Sequence, residues 1–315
     1  MPGGAEASVR DIALQQDLTE KVHIVAARDT ELDQARLRYI MALIVSLEPR
    51  FKYQVVSLAD LARQQDAHLP RTLGEEARVT AEIQILEQGL AGRRVDLVVA
   101  DATQVPPRLP SLVELCALPQ RQDARDVLVL PQGQSFDDLR QGARVGLNGR
   151  RREASLLFLR PDLQAQPIEG TVESRLHRVV EGAFDAVIVP ACDLLYGAMD
   201  DYREELNFMP FAIEAMCPRH GQGQLAVLTG SHRNRLRDYV HELLDDPVSR
   251  ACAEAELKAA RALGYDRNDD PPAACHVSLE DGQLTLIAMN AAADQQEPQV
   301  SRQIISPKEI GRAHV

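Results

Sequence analysis

Three short apolar runs separated by helical patterns constrain this chain more than any other feature. They are VHIVAA (Val22–Ala27), KYQVVSL (Lys52–Leu58) and VDLVVA (Val95–Ala100). Runs of this length with little alternation suit strands buried on both faces. Between the first two, Leu32, Leu37, Ile40, Met41 and Ile44 recur at helical spacing over Glu31–Leu47. A second helical stretch covers Thr80–Ala91, and residues 62–75 are polar and read as loop. Strand, helix, strand, helix, strand implies a parallel α/β layer, because parallel neighbours need a crossover.

The pattern then recurs. Asp126–Leu130, Ala143–Leu147 and Ala186–Val189 read as strands. Arg152–Leu159 and Thr171–Glu181 read as helices, the latter with Val172, Leu176 and Val179/Val180 on one face. This is a second α/β lobe, followed over 208–228 by extended segments around a Gly-containing turn. From Arg233 the character changes. Arg235–Leu244 and Pro247–Leu263 are helical, and Ala273–Glu280 and Gln283–Met289 flank Asp281-Gly282. An Asp-Gly pair between alternating runs is a hairpin turn, since both residues tolerate positive φ. The expected division is a loose lead-in at 1–20, lobe 1 at 21–115 with 209–230, lobe 2 at 116–208, a small α+β domain at 231–290, and a disordered tail at 291–315. The last seven residues, Glu309–Val315, read like a translated sequencing adapter and are set aside.

Composition narrows the function. Apolar residues make up 45% of the 315 and charged residues 26%, as in soluble globular proteins. The longest apolar runs are too short to span a bilayer, and the first residues lack a signal-peptide core. The cytosol is the expected setting, an organelle matrix the alternative. A net charge of −12 argues against nucleic acid as the main partner. Only four of the 35 basic residues are lysines (Lys21, Lys52, Lys258, Lys308). That bias reads as codon usage or as a need for bidentate carboxylate binding, which Arg does better than Lys. The five cysteines (Cys116, Cys192, Cys217, Cys252, Cys275) are scattered singly, so neither a disulfide framework nor a zinc site is expected. No nucleotide motif is present.

Several segments, in order, resemble one family. VDLVVADATQVPPRLP (Val95–Pro110) is similar to "VDxAVHSxKDxPxxLP", and VGLNGRRR (Val145–Arg152) to "VGTSSxRR". Arg160–Leu163 reads RPDL, EGTVESRL (Glu169–Leu176) resembles "RGNVxTRL", and GAFDAVIV (Gly182–Val189) resembles "GxxDAxxLA". PRHGQGQL (Pro218–Leu225) resembles "PAxGQGAx", and DGQLTLIA (Asp281–Ala288) resembles "DGxxxLxA". The chain is thereby identified as a divergent member of the hydroxymethylbilane synthase (porphobilinogen deaminase) family, over about residues 21–290. The resemblance implies an α/β fold with two periplasmic-binding-protein-like lobes around a cleft, plus a small α+β third domain. It implies a monomer that condenses four porphobilinogen molecules into a linear tetrapyrrole on a cysteine-linked dipyrromethane primer. Membrane and nucleic acid are not expected partners.

Carried over residue by residue, the resemblance gives Arg28, Thr30, Arg151, Arg152 and Arg175 as substrate-binding positions, the arginines forming an anion-binding wall. Other positions depart from it. Gln104 stands at the catalytic Asp, Ala100 and Thr103 at the His and Lys of the same motif, and Glu169 at the Arg of "RGNV". Gln accepts a hydrogen bond but supplies no charge to a cationic intermediate. Asp101, three residues earlier, is the candidate substitute. The primer Cys position reads Arg267 when aligned from the helix and Asp269 when aligned from the hairpin. Cys275 is the nearest thiol, and on an ungapped reading it is a strand residue with His276 on the opposite face. The mobile-loop signature Lys-Gly-Leu-Phe is absent around Ala77–Ile83. Three readings follow: an active synthase with Cys275 as primer site, an inactive paralogue binding a carboxylated or tetrapyrrole-like ligand, or a different enzyme on the same cleft.

Overall fold

A computed structural model describes residues 18–19, 21–68, 75–106, 108–196, 200–263, 273–280, 282–291 and 299–305. The chain divides into two units, one of residues 1–120 and 225–246, the other of 121–224 and 247–315.

Unit 1 is built on a five-stranded sheet. Its strands are β1 (Val22–Ala26), β2 (Lys52–Val55), β3 (Leu97–Asp101), β4 (Val113–Ala117) and β10 (Leu225–Gly230), in the order β2-β1-β3-β10-β4. β1 runs parallel to β2 and β3, while β10 runs antiparallel to β3 and β4. Every residue of β3 and β10 is buried, which is why those stretches carry no alternation. β2 lies at the edge and is exposed throughout, so the short strand ends at Val55 rather than Leu58. Helix α1 (Glu31–Leu47) starts at an N-cap, Thr30, whose hydroxyl accepts from the Asp33 amide. Its Leu37, Ile40, Met41 and Ile44 pack on β1 and β3. Part of the expected loop at 62–75 is instead the end of α2 (Leu58–Gln64), and α3 (Glu75–Ala91) starts earlier than the expected Thr80.

Unit 2 repeats the pattern. Its strands β5 (Asp126–Pro131), β6 (Arg144–Leu147), β7 (Gln164–Pro167), β8 (Ala186–Pro190) and β9 (Leu206–Pro210) lie in the order β7-β6-β8-β5-β9. β6 is parallel to β7 and β8, and β5 is antiparallel to β8 and β9. Helices α4 (Arg150–Leu159), α5 (Val172–Val180) and the short α6 (Ala191–Leu194) complete it. Val172, Leu176 and Val179 of α5 are buried, but Val180 is turned to solvent, so only part of the expected apolar face holds.

The remaining elements correct two expectations. Helix α7 (Asn234–Leu244) buries Leu236, Tyr239, Val240 and Leu244 in the core of unit 1, so it belongs to that unit and not to the C-terminal domain. β9 pairs with β5, and residues up to 224 stay with unit 2, so lobe 1 takes back the chain at Leu225 rather than at residue 209. Helix α8 (Pro247–Ala262) packs within unit 2 against a three-stranded antiparallel sheet of β11 (Ala273–Glu280), β12 (Gln283–Asn290) and β13 (Gln299–Ile305). β11 and β12 are the expected hairpin in register Glu280↔Gln283, with Gly282 at positive φ. β13 lies in the stretch expected to be disordered. It pairs along its whole length with β12, burying little of its own apolar surface: Val300 and Ile304 stay exposed.

Candidate ligand site

In unit 1 the site-forming residues gather at the C-terminal ends of β1 and β3. Arg28 follows β1 directly, and Thr30 and Asp33 open α1. Arg28 is buried. Its Nη1 donates to Asp33 Oδ2 at 3.1 Å and its Nε to Glu82 Oε2, on α3, at 2.7 Å. Arg36, one helical turn after Asp33, donates to Asp33 Oδ1 at 3.0 Å and pairs through Nη2 with Asp101 Oδ2 at 2.7 Å. Thr30 Oγ1 donates to Asp33 Oδ2 at 2.6 Å, so its cap role and its place beside Arg28 are one arrangement. The result is a continuous buried chain, Glu82–Arg28–Asp33–Arg36–Asp101.

Asp101 is thus occupied. Besides Arg36, its Oδ1 accepts from the Thr103 amide at 2.8 Å and hydroxyl at 2.6 Å, a local Asx turn at the end of β3. Both of its oxygens are taken up within the fold, which leaves it poorly placed to serve a ligand. The same turn, closed by the Gln104 amide on the Asp101 carbonyl at 2.9 Å, carries Gln104. Gln104 Oε1 is sealed from solvent and has no hydrogen-bond partner among the described residues. An unmet buried acceptor costs about 1–3 kcal/mol, which a donor on a bound ligand would recover.

In unit 2 the paired arginines converge on one acid. Gly149, at φ 99°, caps α4 in a conformation a side chain would resist, and the helix then projects Arg151 and Arg152 together. Asp126, with no solvent exposure, accepts from Arg151 Nη1 at 2.7 Å, from Arg152 Nε and Nη2 at 3.1 and 3.0 Å, and from Gln222 Nε2 at 2.9 Å. Burial alone would raise the Asp126 carboxyl pKa, but the two guanidiniums outweigh it and hold it below the usual range. Asp126 is the acid both arginines share, and the Asp193 carboxylate also acts on Arg152. Gln222 belongs to the GQG turn, where Gly223 sits at φ 80° and a Cβ would meet the Gln122 carbonyl at 2.8 Å. Arg175 lies apart on α5, with Nε on the Gly170 carbonyl at 3.1 Å, and Glu169 is exposed just before that helix.

A third node lies between α8 and β11. Glu256, 1% exposed, accepts from Arg121 Nη1 at 2.5 Å, the Gly221 amide at 2.7 Å and the Val277 amide at 2.8 Å, with His276 Nδ1 at 3.2 Å. Burial works to raise its pKa, yet Arg121 and His276 bring it down to about 2. Beside it, Cys275 is wholly buried in the middle of β11, and its thiol donates to the Glu256 carbonyl at 3.4 Å. Burial, with the Glu256 charge nearby, pushes that thiol far above the ordinary cysteine range. Cys217 is also sealed in and raised to about 12 by burial. A primer site needs an exposed thiol that can ionise, so neither cysteine fits a covalently held dipyrromethane. Arg267 and Asp269, at the family's Cys position, lie outside the described residues.

The sequence-expected residues therefore fall into separate groups. Arg28 and Thr30 meet in unit 1, Arg151 and Arg152 meet on Asp126 in unit 2, and Arg175 stands elsewhere in unit 2. Sequence reasoning missed their acidic partners. Asp126 was visible as a charge at the head of an otherwise apolar strand. Glu256 sits one turn from Cys252 and from Ala260 on the buried stripe of α8, a position where a charge signals a partner. Among the described residues no group of His, Cys, Asp and Glu is placed to hold a metal ion, and no helix is long and apolar enough to cross a membrane.

Comparison with known proteins agrees with the ordered motifs. The family "Porphobilinogen deaminase, dipyromethane cofactor binding domain" matches residues 23–238. The porphobilinogen deaminase of Syntrophobacter fumaroxidans is 31% identical over 284 residues, covering 89% of this chain and 87% of its own. That of Chromobacterium violaceum is 31% identical, covering 86% and 84%. Among solved structures, an ancestral cationic amino acid solute binding protein is similar at a TM-score of 0.45 and 14% identity, covering 81% of this chain and 96% of that one. With the matched family spanning most of its described residues, this chain belongs to the porphobilinogen deaminase family.

Proposed function

We propose that this family member binds a carboxylated pyrrole or linear tetrapyrrole without carrying the dipyrromethane primer and without condensing porphobilinogen. The observation that carries the reading is the thiol inventory. All five cysteines are buried, and the nearest to the family's attachment site lies mid-strand with its proton held tightly. A chain with no accessible thiolate has no nucleophile with which to hold the primer.

The other substitutions support the same reading. The family's catalytic carboxylate is replaced by Gln104, whose unmet Oε1 suits a neutral pyrrole N–H but offers no charge to a cationic intermediate. Asp101, which could supply charge, is consumed by Arg36 and Thr103. What remains is recognition chemistry: Arg28 with Thr30, the Arg151–Arg152 pair, and Arg175 as guanidiniums for the acetate and propionate arms. The protein is expected to work in the same compartment as tetrapyrrole synthesis, as a soluble monomer.

Calorimetric titration with porphobilinogen, paired with a colorimetric assay of its consumption, tests this. Saturable binding with no loss of porphobilinogen and no ammonia release is the expected result. Catalytic consumption with ammonia release would overturn it in favour of an active synthase.

A further inference from the structure

We infer that Glu82 is an internal stand-in for a ligand carboxylate on Arg28, and that it lowers the site's affinity for every carboxylate ligand that uses Arg28. The inference rests on the reading of Arg28 as a ligand-binding residue.

The charge balance of the unit 1 chain comes first. Glu82, Asp33 and Asp101 face Arg28 and Arg36, with Arg78 beside Glu82, so each of these arginines already has a carboxylate. A carboxylate arriving at Arg28 therefore meets a guanidinium already neutralised on its Nε and Nη1 edges. It gains nothing there unless one of the acids leaves.

The three acids differ in how firmly they are held. Asp33 accepts from Arg28, Arg36 and the Thr30 hydroxyl, and its own amide donates back to Thr30 Oγ1 in the helix cap. Asp101 accepts from Arg36 and twice from Thr103. Glu82 has two partners among the described residues. One is Arg28, at 2.7 Å. The other is Arg78, one turn back on α3, at 3.9 Å. Arg78 has a side chain 43% exposed and offers Glu82 a second cation on its own helix. Glu82 is thus the acid that can step off Arg28 without being stranded.

Exchange on these terms is a competition. Glu82 is tethered, so it competes for Arg28 at an effective concentration on the order of millimolar. An incoming carboxylate swaps places with an equivalent one and must overcome that local concentration. An isosteric neutral residue at position 82 removes the competitor and tightens every carboxylate that uses Arg28 by the same factor.

The test is calorimetric titration of wild type, E82Q and the R28M/E82Q double variant with porphobilinogen, which carries two carboxylates, and with propionate, which carries one. Thermal unfolding confirms that each variant is folded. E82Q is expected to bind porphobilinogen at least about tenfold more tightly and to gain measurable propionate binding, with both gains lost in R28M/E82Q. Unchanged porphobilinogen affinity in E82Q with weaker binding in R28M/E82Q would overturn the inference while leaving Arg28 as a ligand residue. Equal affinity in all three would remove Arg28 from the site, and the inference with it. Absence of porphobilinogen binding in every protein would overturn the functional reading itself.

Discussion

Replacing Glu256 by Gln keeps the side chain's shape and removes its charge, which makes it the most informative perturbation of unit 2. Glu256 is the common acceptor for Arg121, Gly221 and Val277, so it ties α8 to the GQG turn and to β11 at once. Its carboxyl is depressed from 4.5 to about 2: burial opposes ionisation, but the neighbouring Arg121 and His276 side chains outweigh it. A folded-state pKa below the unfolded one stabilises the protein above the unfolded pKa, and the effect is lost as pH falls through the folded value. A depression of that size corresponds to about 3 kcal/mol at neutral pH. The Gln amide must also turn an N–H toward one of three existing donors, which adds to the loss. Urea unfolding at pH 7, 5, 4 and 3, read by hydrogen exchange of the β11 amides, measures unit 2 without assuming that the two units unfold together. Wild type should exceed E256Q by about 3 kcal/mol at pH 7, with the margin shrinking below about pH 4.5. A margin that is absent at neutral pH, or constant down to pH 3, would refute the assignment of Glu256 as a buried anion.

Further outcomes follow from the other nodes. D126N leaves two buried guanidiniums without their shared counter-charge and should destabilise unit 2 by about 3–5 kcal/mol in urea titration. Its loss should also flatten the acid limb of the stability curve, because the depressed Asp126 carboxyl contributes only above the unfolded aspartate pKa. T30A removes the N-cap of α1 and should cost about 1 kcal/mol, visible as a lower unfolding midpoint for unit 1. Q104D places a carboxylate beside the Asp101 turn, and on the proposed reading, in which no primer is carried, it should not by itself bring about porphobilinogen consumption.

Much of the fold was legible because burial on both faces leaves a plain signature. VDLVVA and AVIV could not be amphipathic surface segments, and both became central strands. The Asp-Gly turn placed the β11–β12 hairpin in register. What was not legible depended on partners distant in sequence. α7 looks like any amphipathic helix, and only its packing against α1 and β4 assigns it to unit 1. β13 has too few apolar residues to announce itself and exists because β12 offers it an open edge.

The site divides in the same way. The positions Arg28, Arg151 and Arg152 could be read from ordered motifs, but their charge state in context could not. Asp33, Arg36 and Glu82 fall on helices α1 and α3, where a charged residue is ordinarily solvated. Only the fold shows that they close on Arg28 and Asp101. The consequence is chemical. The expected anion-binding arginines Arg28, Arg151 and Arg152 are each paired with the chain's own carboxylates.

The central claim, that no primer is carried, is tested most directly by intact-protein mass spectrometry of the chain produced in a host that makes porphobilinogen, alongside C275A. The account predicts an unmodified mass for both proteins. A dipyrromethane-sized increase on wild type that disappears in C275A would contradict it and make Cys275 the attachment site.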